Sequence, residues 1–187
     1  PIYQHGEIII LILNTGMRMG EVLGLKWEDI DFENKTIHVC RNVAYIKNRN
    51  SNLDTTKGYR VEVKEFTKTD AGNRLIPMNN TSFSLINSLK SKSSDENSYV
   101  FENKNGNVIS PHNLEKKFNK ILKNCNIEKT GLHTLRHTFA SMLFKKGVDV
   151  KTVSEILGHA DVRITYNTYI HLIKEQKHDA VNLLDDL

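Results

Sequence analysis

The segment from residue 130 to residue 172 constrains the fold of this chain most, because it predicts three short helices with marked ends. Apolar residues recur every three or four positions between Leu132 and Leu143 and indicate one buried helix face. Asp149 is a suitable N-cap for a second helix, and Gly158 can adopt the left-handed conformation that ends it. A third helix follows directly, and one of its faces is expected to be lined by Val162, Tyr166, Tyr169 and Ile173. This part of the chain is therefore expected to be helical.

The same helices carry polar and aromatic side chains that a helix with only a packing role would not need. They are His133, Arg136, His137, His159, Tyr166 and Tyr169. The first three share one helix face, because three and four positions separate them. One interpretation is ordinary: core tyrosines, a satisfied histidine and a surface arginine. The other is a shared functional site.

The composition is that of a globular protein with a small excess of basic over acidic residues. Its 187 residues suffice for one domain with a real core, and its net charge is +4. A basic bias alone is weak support for nucleic-acid binding. The longest apolar run, residues 8–13, is too short to span a bilayer. Two cysteines without metal-type spacing indicate a reduced, cytoplasmic protein.

Three segments alternate and are rich in β-branched residues: 36–46, 61–67 and 74–78. We expect them to form one antiparallel meander with Lys68 at a hairpin tip. Helices are expected before and after it, including one over residues 7–14 and a last one over 174–184. The predicted class is α+β, mostly helical with a small three-stranded antiparallel sheet.

One set of side chains is suited to chemistry on a phosphodiester. It comprises Arg18, Lys68, His133, Arg136, His159 and Tyr169. Two guanidinium forks match the non-bridging oxygens and stabilise the charge of a pentacoordinate transition state. A tyrosine can be the nucleophile. Asp29 and Asp31 have no third ligand nearby in the sequence, so we expect neither a metal nor another cofactor.

Proton transfers can be assigned within this set. A tyrosine is almost fully protonated at neutral pH, so it needs a base or a strongly positive site, and His133 beside Arg136 can supply both. Lys68 is suited to protonate a leaving 5′ oxygen. His159 would donate a hydrogen bond to the phosphate.

Five stretches then carry a resemblance: TGMRMGEVLGLKWEDID, TKTDAGNRLIPM, HTLRHTFA, LGH and NTYIH. In this order and at these separations they resemble the tyrosine recombinase (phage integrase) family, over residues 14–171. The resemblance implies the DNA breaking-rejoining catalytic fold of that family. It also implies site-specific recombination or integration of DNA through a covalent 3′-phosphotyrosyl intermediate, without metal or ATP.

The resemblance assigns roles to individual residues. Arg18 and Arg136 become the phosphate clamp, Lys68 the general acid, His133 the assistant in proton transfer, His159 a phosphate donor and Tyr169 the nucleophile, with Glu21 in support. It makes His137 a structural histidine and, through the NTYIH context, Tyr166 a packing residue. The assignment fails if Tyr169 is buried by its own subunit while Arg18 and Arg136 point to separate surfaces.

The resemblance also implies partners and domains. We expect double-stranded DNA and other recombinase subunits, four in the active complex, and neither a membrane nor a small-molecule substrate. The catalytic domain is expected over 1–173, and a tail helix over 174–187 is a candidate for packing on a neighbouring subunit, with packing on its own subunit as the alternative. An upstream DNA-binding domain is expected to be absent from this piece, and the protein to act at a bacterial nucleoid.

Basic residues in and near the sheet are candidates for further DNA contacts. They are Lys47, Arg49, Lys57, Arg60 and Arg74. A solvated loop would carry the same residues, so both interpretations stay open. Two other functions also remain: the same chemistry used for relaxation or end resolution, as in type IB topoisomerases, and a DNA-binding module without catalysis.

Overall fold

The computed structural model describes residues 5–47, 58–66, 71–91 and 97–182, with side chains described as far as residue 173. The helices are α1 (Gly6–Thr15), α2 (Met19–Leu23), α3 (Asn80–Lys90), α4 (Pro111–Asn124), α5 (His133–Lys145), α6 (Val150–Leu157) and α7 (Val162–Asn182). The strands are β1 (Ile30–Asp31), β2 (Thr36–Val39), β3 (Arg41–Lys47), β4 (Tyr59–Glu65) and β5 (Arg74–Pro77). No helix in the described part of the chain combines the length and hydrophobicity needed to cross a bilayer.

The strands form two small antiparallel sheets, so the predicted single meander is wrong in its pairing. One sheet has the order β1-β2-β5, and the other pairs β3 with β4. The predicted strand 36–46 divides at Cys40: before it Ile37 pairs with Ile76, and after it Val43 pairs with Val63. Burial explains the division, because β2 and β5 press into the core whereas β4 is exposed along its whole length.

The larger core lies between the N-terminal helices, the β1-β2-β5 sheet, α3 and α4. Ile8, Leu11 and Ile12 of α1 are fully buried in it, as is Leu114 of α4. Pro111 occupies the first turn of α4, where its missing N–H costs nothing. These contacts fix α1, and with it the loop that carries Arg18.

A second, smaller core joins α5, α6 and α7. It contains Phe139, Ala140, Phe144, Val153, Leu157 and Tyr169. The face predicted for α7 is partly wrong: Val162 and Tyr166 are 41% and 37% exposed, whereas Thr165 and Tyr169 are buried. The helix also continues through position 174, where a separate last helix was expected, and its backbone is non-helical at Tyr169 (φ −115°, ψ 17°).

Two glycines in the left-handed conformation end helices α1 and α6, shortly before the polar residues Arg18 and His159. Gly16 (φ 65°) closes α1 by donating its N–H to the carbonyl of Ile12, and Gly158 (φ 67°) closes α6. Such a stop lets the chain change direction within one residue, at little conformational cost to glycine alone. Arg18 and His159 are placed by these two turns.

Replacing Gly16 by alanine should destabilise the protein more than the same change at Gly147. Both glycines have positive φ, so each substitution costs about 1–2 kcal/mol of backbone strain. At Gly16 the added Cβ would also overlap the ring of Phe139, whereas nothing lies within 4 Å at Gly147. Overpacking adds about 1–3 kcal/mol. Urea unfolding followed by the fluorescence of Trp27 measures the difference, and equal losses would contradict it.

Candidate active site

The C-terminal end of α6 binds three arginines that come from distant parts of the chain. Arg74 donates to the carbonyl of Ile156 at 2.6 Å, Arg136 to that of Leu157 at 2.6 Å and Arg18 to that of Gly158 at 3.2 Å. The last carbonyls of a helix lack partners within the helix and carry partial negative charge, so they attract cations. Arg18 and Arg136, the predicted phosphate clamp, therefore converge.

Glu21 is the buried carboxylate of this cluster. Its side chain is inaccessible to solvent and pairs with Arg18 at 2.7 Å and with Arg74 at 2.9 Å. Burial by itself would raise the pKa of Glu21, but the hydrogen bond and charge of Arg74 and the charge of Arg18 hold that pKa below its ordinary value. One carboxylate thus faces three guanidinium groups, and the cluster keeps an excess of positive charge.

Arg136 shows this excess most clearly. In addition to the carbonyl of Leu157 in α6, the Arg136 side chain donates to the carbonyl of Gly16 at 2.8 Å. It thereby connects α5 to the loop before α2. Burial, and then the charge of Arg18, lower the pKa of Arg136 to about 9. A guanidinium holds its proton this weakly only where positive charges are crowded and poorly solvated. A bound anion would relieve that crowding.

His159 lies directly beyond the end of α6, beside the arginines. Its Nδ1 is 2.7 Å from the hydroxyl of Thr165 on α7. Burial, followed by the charges of Arg136, Arg18 and Arg74, lowers the pKa of His159 to about 4. The imidazole is therefore neutral at neutral pH. When Nδ1 accepts from Thr165, Nε2 carries the hydrogen and can donate to an anion.

An open cavity of about 430 Å³ adjoins the cluster. It is lined by Arg18, Glu21, Asn42, Phe66, Ala71, Gly72, Gly158, His159, Ala160 and Ile164. Lys68 lies outside the described residues, so its role stays a prediction. Phe66 and Ala71, the described residues on either side of that gap, both line the cavity.

Tyr169 is buried, with only 4% of its surface exposed. Its hydroxyl lies 2.8 Å from Nδ1 of His137, and its ring packs against Phe144. Burial raises the pKa of Tyr169, although the charge of Arg136 acts in the opposite direction. Tyr166 is exposed, and its predicted packing role is therefore wrong.

The histidine that contacts Tyr169 is not the one that the sequence predicted. His133 is exposed, and its ring meets the edge of the His137 ring at a centroid distance of 5.8 Å. His137, expected to be only structural, is hydrogen-bonded to the tyrosine hydroxyl. Its place immediately after Arg136 on α5 was the available signal.

The predicted DNA contacts divide into exposed, buried and undescribed residues. Lys47 ends β3 at the surface, and the side chain of Arg60 on β4 is 61% exposed. Arg49 and Lys57 lie outside the described residues. Arg74 does not fit the prediction: its side chain is only 8% exposed and is engaged by Glu21 and α6. It supports the cluster from within.

Asp29 is not isolated from other metal-binding side chains, contrary to the sequence-based expectation. His38 and Cys40 bring ligand atoms within 4.8 Å of its carboxylate. However, Arg41 already pairs with Asp29 at 2.6 Å. Burial and the hydrogen bond to Asp29 raise the pKa of the Cys40 thiol to about 12, so the thiol stays protonated. Both features disfavour a cation at this position.

The comparison with known families agrees with the geometry of the arginine cluster. The sequence model of the Phage integrase family matches residues 3–176. The chain belongs to this family. The predicted family is thereby confirmed, and the helices and sheets of the structure confirm the predicted class, mostly helical with small antiparallel sheets.

Several relatives and solved structures are similar to this chain. A tyrosine recombinase XerC-like protein of Caldanaerobacter subterraneus subsp. tengcongensis is 35% identical over 96% of this chain and 49% of its own length. The transposase from transposon Tn916 of Enterococcus faecalis is 30% identical over 90% of this chain and 42% of its own. The Tn1549 transposon integrase, solved in complex with transposon right end DNA, has a TM-score of 0.72 at 26% identity, covering 94% of this chain and 58% of that one. The chain thus spans about half the length of these integrase-family proteins.

The titration of His159 tests the electrostatics of the cluster. The pKa of this residue is about 4 in the folded protein and near 6.5 when unfolded, so the unfolded chain binds the proton first as pH falls. The contribution of His159 to stability is therefore complete above pH 6.5 and lost as pH falls through 4. NMR of the imidazole nitrogens measures the midpoint. Arg18→Gln removes one of the responsible charges and should raise it; a midpoint near 6.5 in both proteins would contradict this account.

Proposed function

We propose that this chain supplies the catalytic part of a site-specific DNA recombinase, which cleaves and rejoins DNA through a covalent 3′-phosphotyrosyl intermediate without metal or ATP. The observation that carries the proposal is the convergence of Arg18 and Arg136 on one helix end, with Arg136 within electrostatic reach of Tyr169. Membership of the phage integrase family supports it.

The arginine cluster acts as a preformed site for the phosphodiester. Arg18 and Arg136 hold the non-bridging oxygens, and the neutral His159 donates a further hydrogen bond. Glu21 and the carbonyls of α6 already hold these positively charged side chains in place. Little reorganisation is therefore needed when negative charge develops on the phosphate. The transition state is therefore stabilised more than the resting diester.

Tyr169 supplies the nucleophile and Lys68 the general acid. The tyrosine oxygen attacks phosphorus and passes its proton to the histidine pair of α5, in which His133 assists the transfer. The bond from phosphorus to the 5′ oxygen breaks, and Lys68 protonates the departing oxygen. A 3′-phosphotyrosyl link and a free 5′ hydroxyl result. Attack by a 5′ hydroxyl on the same phosphorus reverses the step and joins the new strand, because the link conserves the energy of the bond.

The substrate is double-stranded DNA. The Tn1549 integrase, which is similar to this chain, was solved with transposon right end DNA and with circular intermediate DNA. In this chain Lys47 and Arg60 stand exposed on the β3-β4 hairpin and can contact the DNA backbone, together with Lys64 of β4. Such contacts position the protein without selecting a sequence.

The active complex contains several subunits, as many as four, on two duplexes. Residues 1–173 form the catalytic domain, and the segment 174–187 docks on a neighbouring subunit. An upstream DNA-binding domain completes the grip on DNA, and the protein works at the nucleoid in the cytoplasm. Membership of the phage integrase family supports these assignments.

Replacing Tyr169 by phenylalanine should abolish covalent DNA adducts, whereas Tyr166→Phe should retain them. The two tyrosines lie one turn apart on α7, but Tyr169 is buried and influenced by the charge of Arg136, whereas Tyr166 is exposed. The full-length protein is incubated with a nicked duplex carrying its recombination site, and adducts are resolved on a denaturing gel in the presence of a chelator. Adducts that survive in Tyr169→Phe would refute the proposal.

The same assay separates the rival functions. Strand exchange between two duplexes supports recombination, and relaxation of supercoiled DNA without exchange supports a topoisomerase-like activity. A module that only binds DNA would form no adduct with any variant, while its affinity for DNA would be unchanged by Tyr169→Phe.

Arg136→Lys should slow adduct formation by about 100-fold, or ~3 kcal/mol, the usual effect of losing one preorganised donor. A lysine keeps the charge but cannot span the carbonyls of Gly16 and Leu157 and also present a fork to phosphate. Arg163→Lys is the matched control, because the side chain of Arg163 is 83% exposed and pairs with Asp161. Similar rates for both variants would argue against a bidentate role for Arg136.

A further inference from the structure

Thr165 is fully buried in the first turn of α7, and its hydroxyl meets the imidazole that lies beside the arginine cluster. The hydroxyl oxygen is 2.7 Å from Nδ1 of His159. We propose that Thr165 is a positioning residue that makes His159 a hydrogen-bond donor to the phosphodiester, because it holds Nδ1 as an acceptor and leaves the hydrogen on Nε2. This inference rests on the proposed role of His159 at the phosphate.

Burial decides the direction of this hydrogen bond. A hydroxyl carries one hydrogen, and a buried hydrogen of this kind needs an acceptor. Within the described ranges of the chain, the hydroxyl of Thr165 has one hydrogen-bond partner, Nδ1 of His159. If Nδ1 carried the hydrogen, the hydrogen of Thr165 would be left in the interior without an acceptor, which is unfavourable. Thr165 is therefore the donor and Nδ1 the acceptor.

A hydroxyl at this position gives His159 a tautomer that a carboxylate would not give. The bond made by one nitrogen of a neutral imidazole determines whether the other nitrogen carries the hydrogen. A carboxylate at Nδ1 would only accept, so the hydrogen would lie on Nδ1 and Nε2 would keep a lone pair, as in a general base. The hydroxyl of Thr165 donates instead. Nε2 therefore carries the hydrogen that an anionic oxygen requires.

The neighbouring arginines explain why His159 needs this support. Burial, and then the charges of three arginines, lower the pKa of His159 to about 4, so the ring is neutral and has one lone pair on nitrogen. Positive charges favour a ring that directs its lone pair toward them. His159 lines the same cavity as Arg18, so this preference would turn an acceptor toward the phosphate site. The bond from Thr165 opposes it by occupying the lone pair at Nδ1.

The contact lies in a part of the chain that is anchored at both ends and does not depend on the position of Tyr169. The N–H of His159 donates to the carbonyl of Ser154 at 3.1 Å, and the carboxylate of Asp161 accepts a backbone N–H of the first turn of α7 at 2.8 Å. The non-helical dihedrals of α7 occur one turn after Thr165, at Tyr169. A rearrangement there during the reaction can therefore leave the bond between Thr165 and His159 intact.

Thr165→Val removes the hydroxyl and keeps the branched shape, so it separates the hydrogen bond from the packing. We expect adduct formation by the full-length protein on a nicked duplex to slow by about 10- to 100-fold, because the donor His159 is present but no longer fixed. Thr165→Ser keeps the hydroxyl and should retain most of the rate. Thr168→Val is the matched control on α7, because Thr168 is exposed and its hydroxyl donates to the carbonyl of Ile164. Equal slowing in Thr165→Val and Thr165→Ser would overturn the proposal.

A double-mutant cycle shows whether Thr165 acts through His159. In a protein that carries His159→Ala, the change Thr165→Val should slow adduct formation no further, because no imidazole is left to position. Losses that multiply would mean that Thr165 acts independently of His159, and they would contradict the proposed role.

NMR of the His159 nitrogens gives a measurement that needs neither DNA nor catalysis. In the unaltered protein at neutral pH we expect the hydrogen on Nε2 and a lone pair on Nδ1, and in Thr165→Val a mixture of the two tautomers. A hydrogen on Nδ1 in the unaltered protein would refute the proposal, even if the variants failed to fold. The two claims fail separately. An unaltered protein that forms no covalent adduct defeats the proposed function, whereas adduct formation that Thr165→Val slows no more than Thr168→Val defeats this inference alone.

Discussion

The end of α6 is the point on which the rest of the site depends. A short helix ends at Gly158 with three carbonyls directed away from it, and each carbonyl accepts a hydrogen bond from an arginine of another element. Arg18 comes from the loop after α1, Arg74 from β5 and Arg136 from α5. Three segments that are far apart in the sequence are thereby fixed relative to one another. The larger core holds α1 and β5, the smaller core holds α5 and α6, and the arginines connect the two.

Bringing these arginines together opposes stability, and the surrounding groups only partly offset that cost. Glu21 neutralises one charge, the helix end contributes partial negative charge, and burial removes the water that would screen the remainder. The result is the low pKa values of Arg136 and His159. A bound anion would supply the missing negative charge, so the repulsion between the positive groups of the free protein favours anion binding at this site. Tyr169 is buried by its own chain, but Arg18 and Arg136 converge, so only one of the two conditions that would exclude a shared site is met.

Local sequence predicted the residues that occupy helix ends and turns. Arg18, Arg136 and His159 could be predicted in this way because each lies within two residues of a glycine that ends a helix or on a clearly periodic helix. Features that depend on distant parts of the chain could not be predicted from the local sequence. Nothing near Cys40 in the sequence indicates that β2 and β3 belong to different sheets, since that depends on which partner strand buries Ile37. Arg74 resembled a surface cation because its partners, Glu21 and Ile156, are 53 and 82 positions away. The contact between His137 and Tyr169 could not be predicted because the two residues lie on different helices. Helical spacing related His137 only to its neighbours on α5, among them His133.

The break in α7 at Tyr169 has a mechanical consequence. An unbroken helix would transmit any movement of its distal half along the whole rod, and the phenol would shift together with its neighbours. With non-helical dihedrals at this single residue, the two halves of α7 meet at a bend, and the residue at the bend is the proposed nucleophile. The angle between the two halves therefore sets the position of the phenol relative to the arginines.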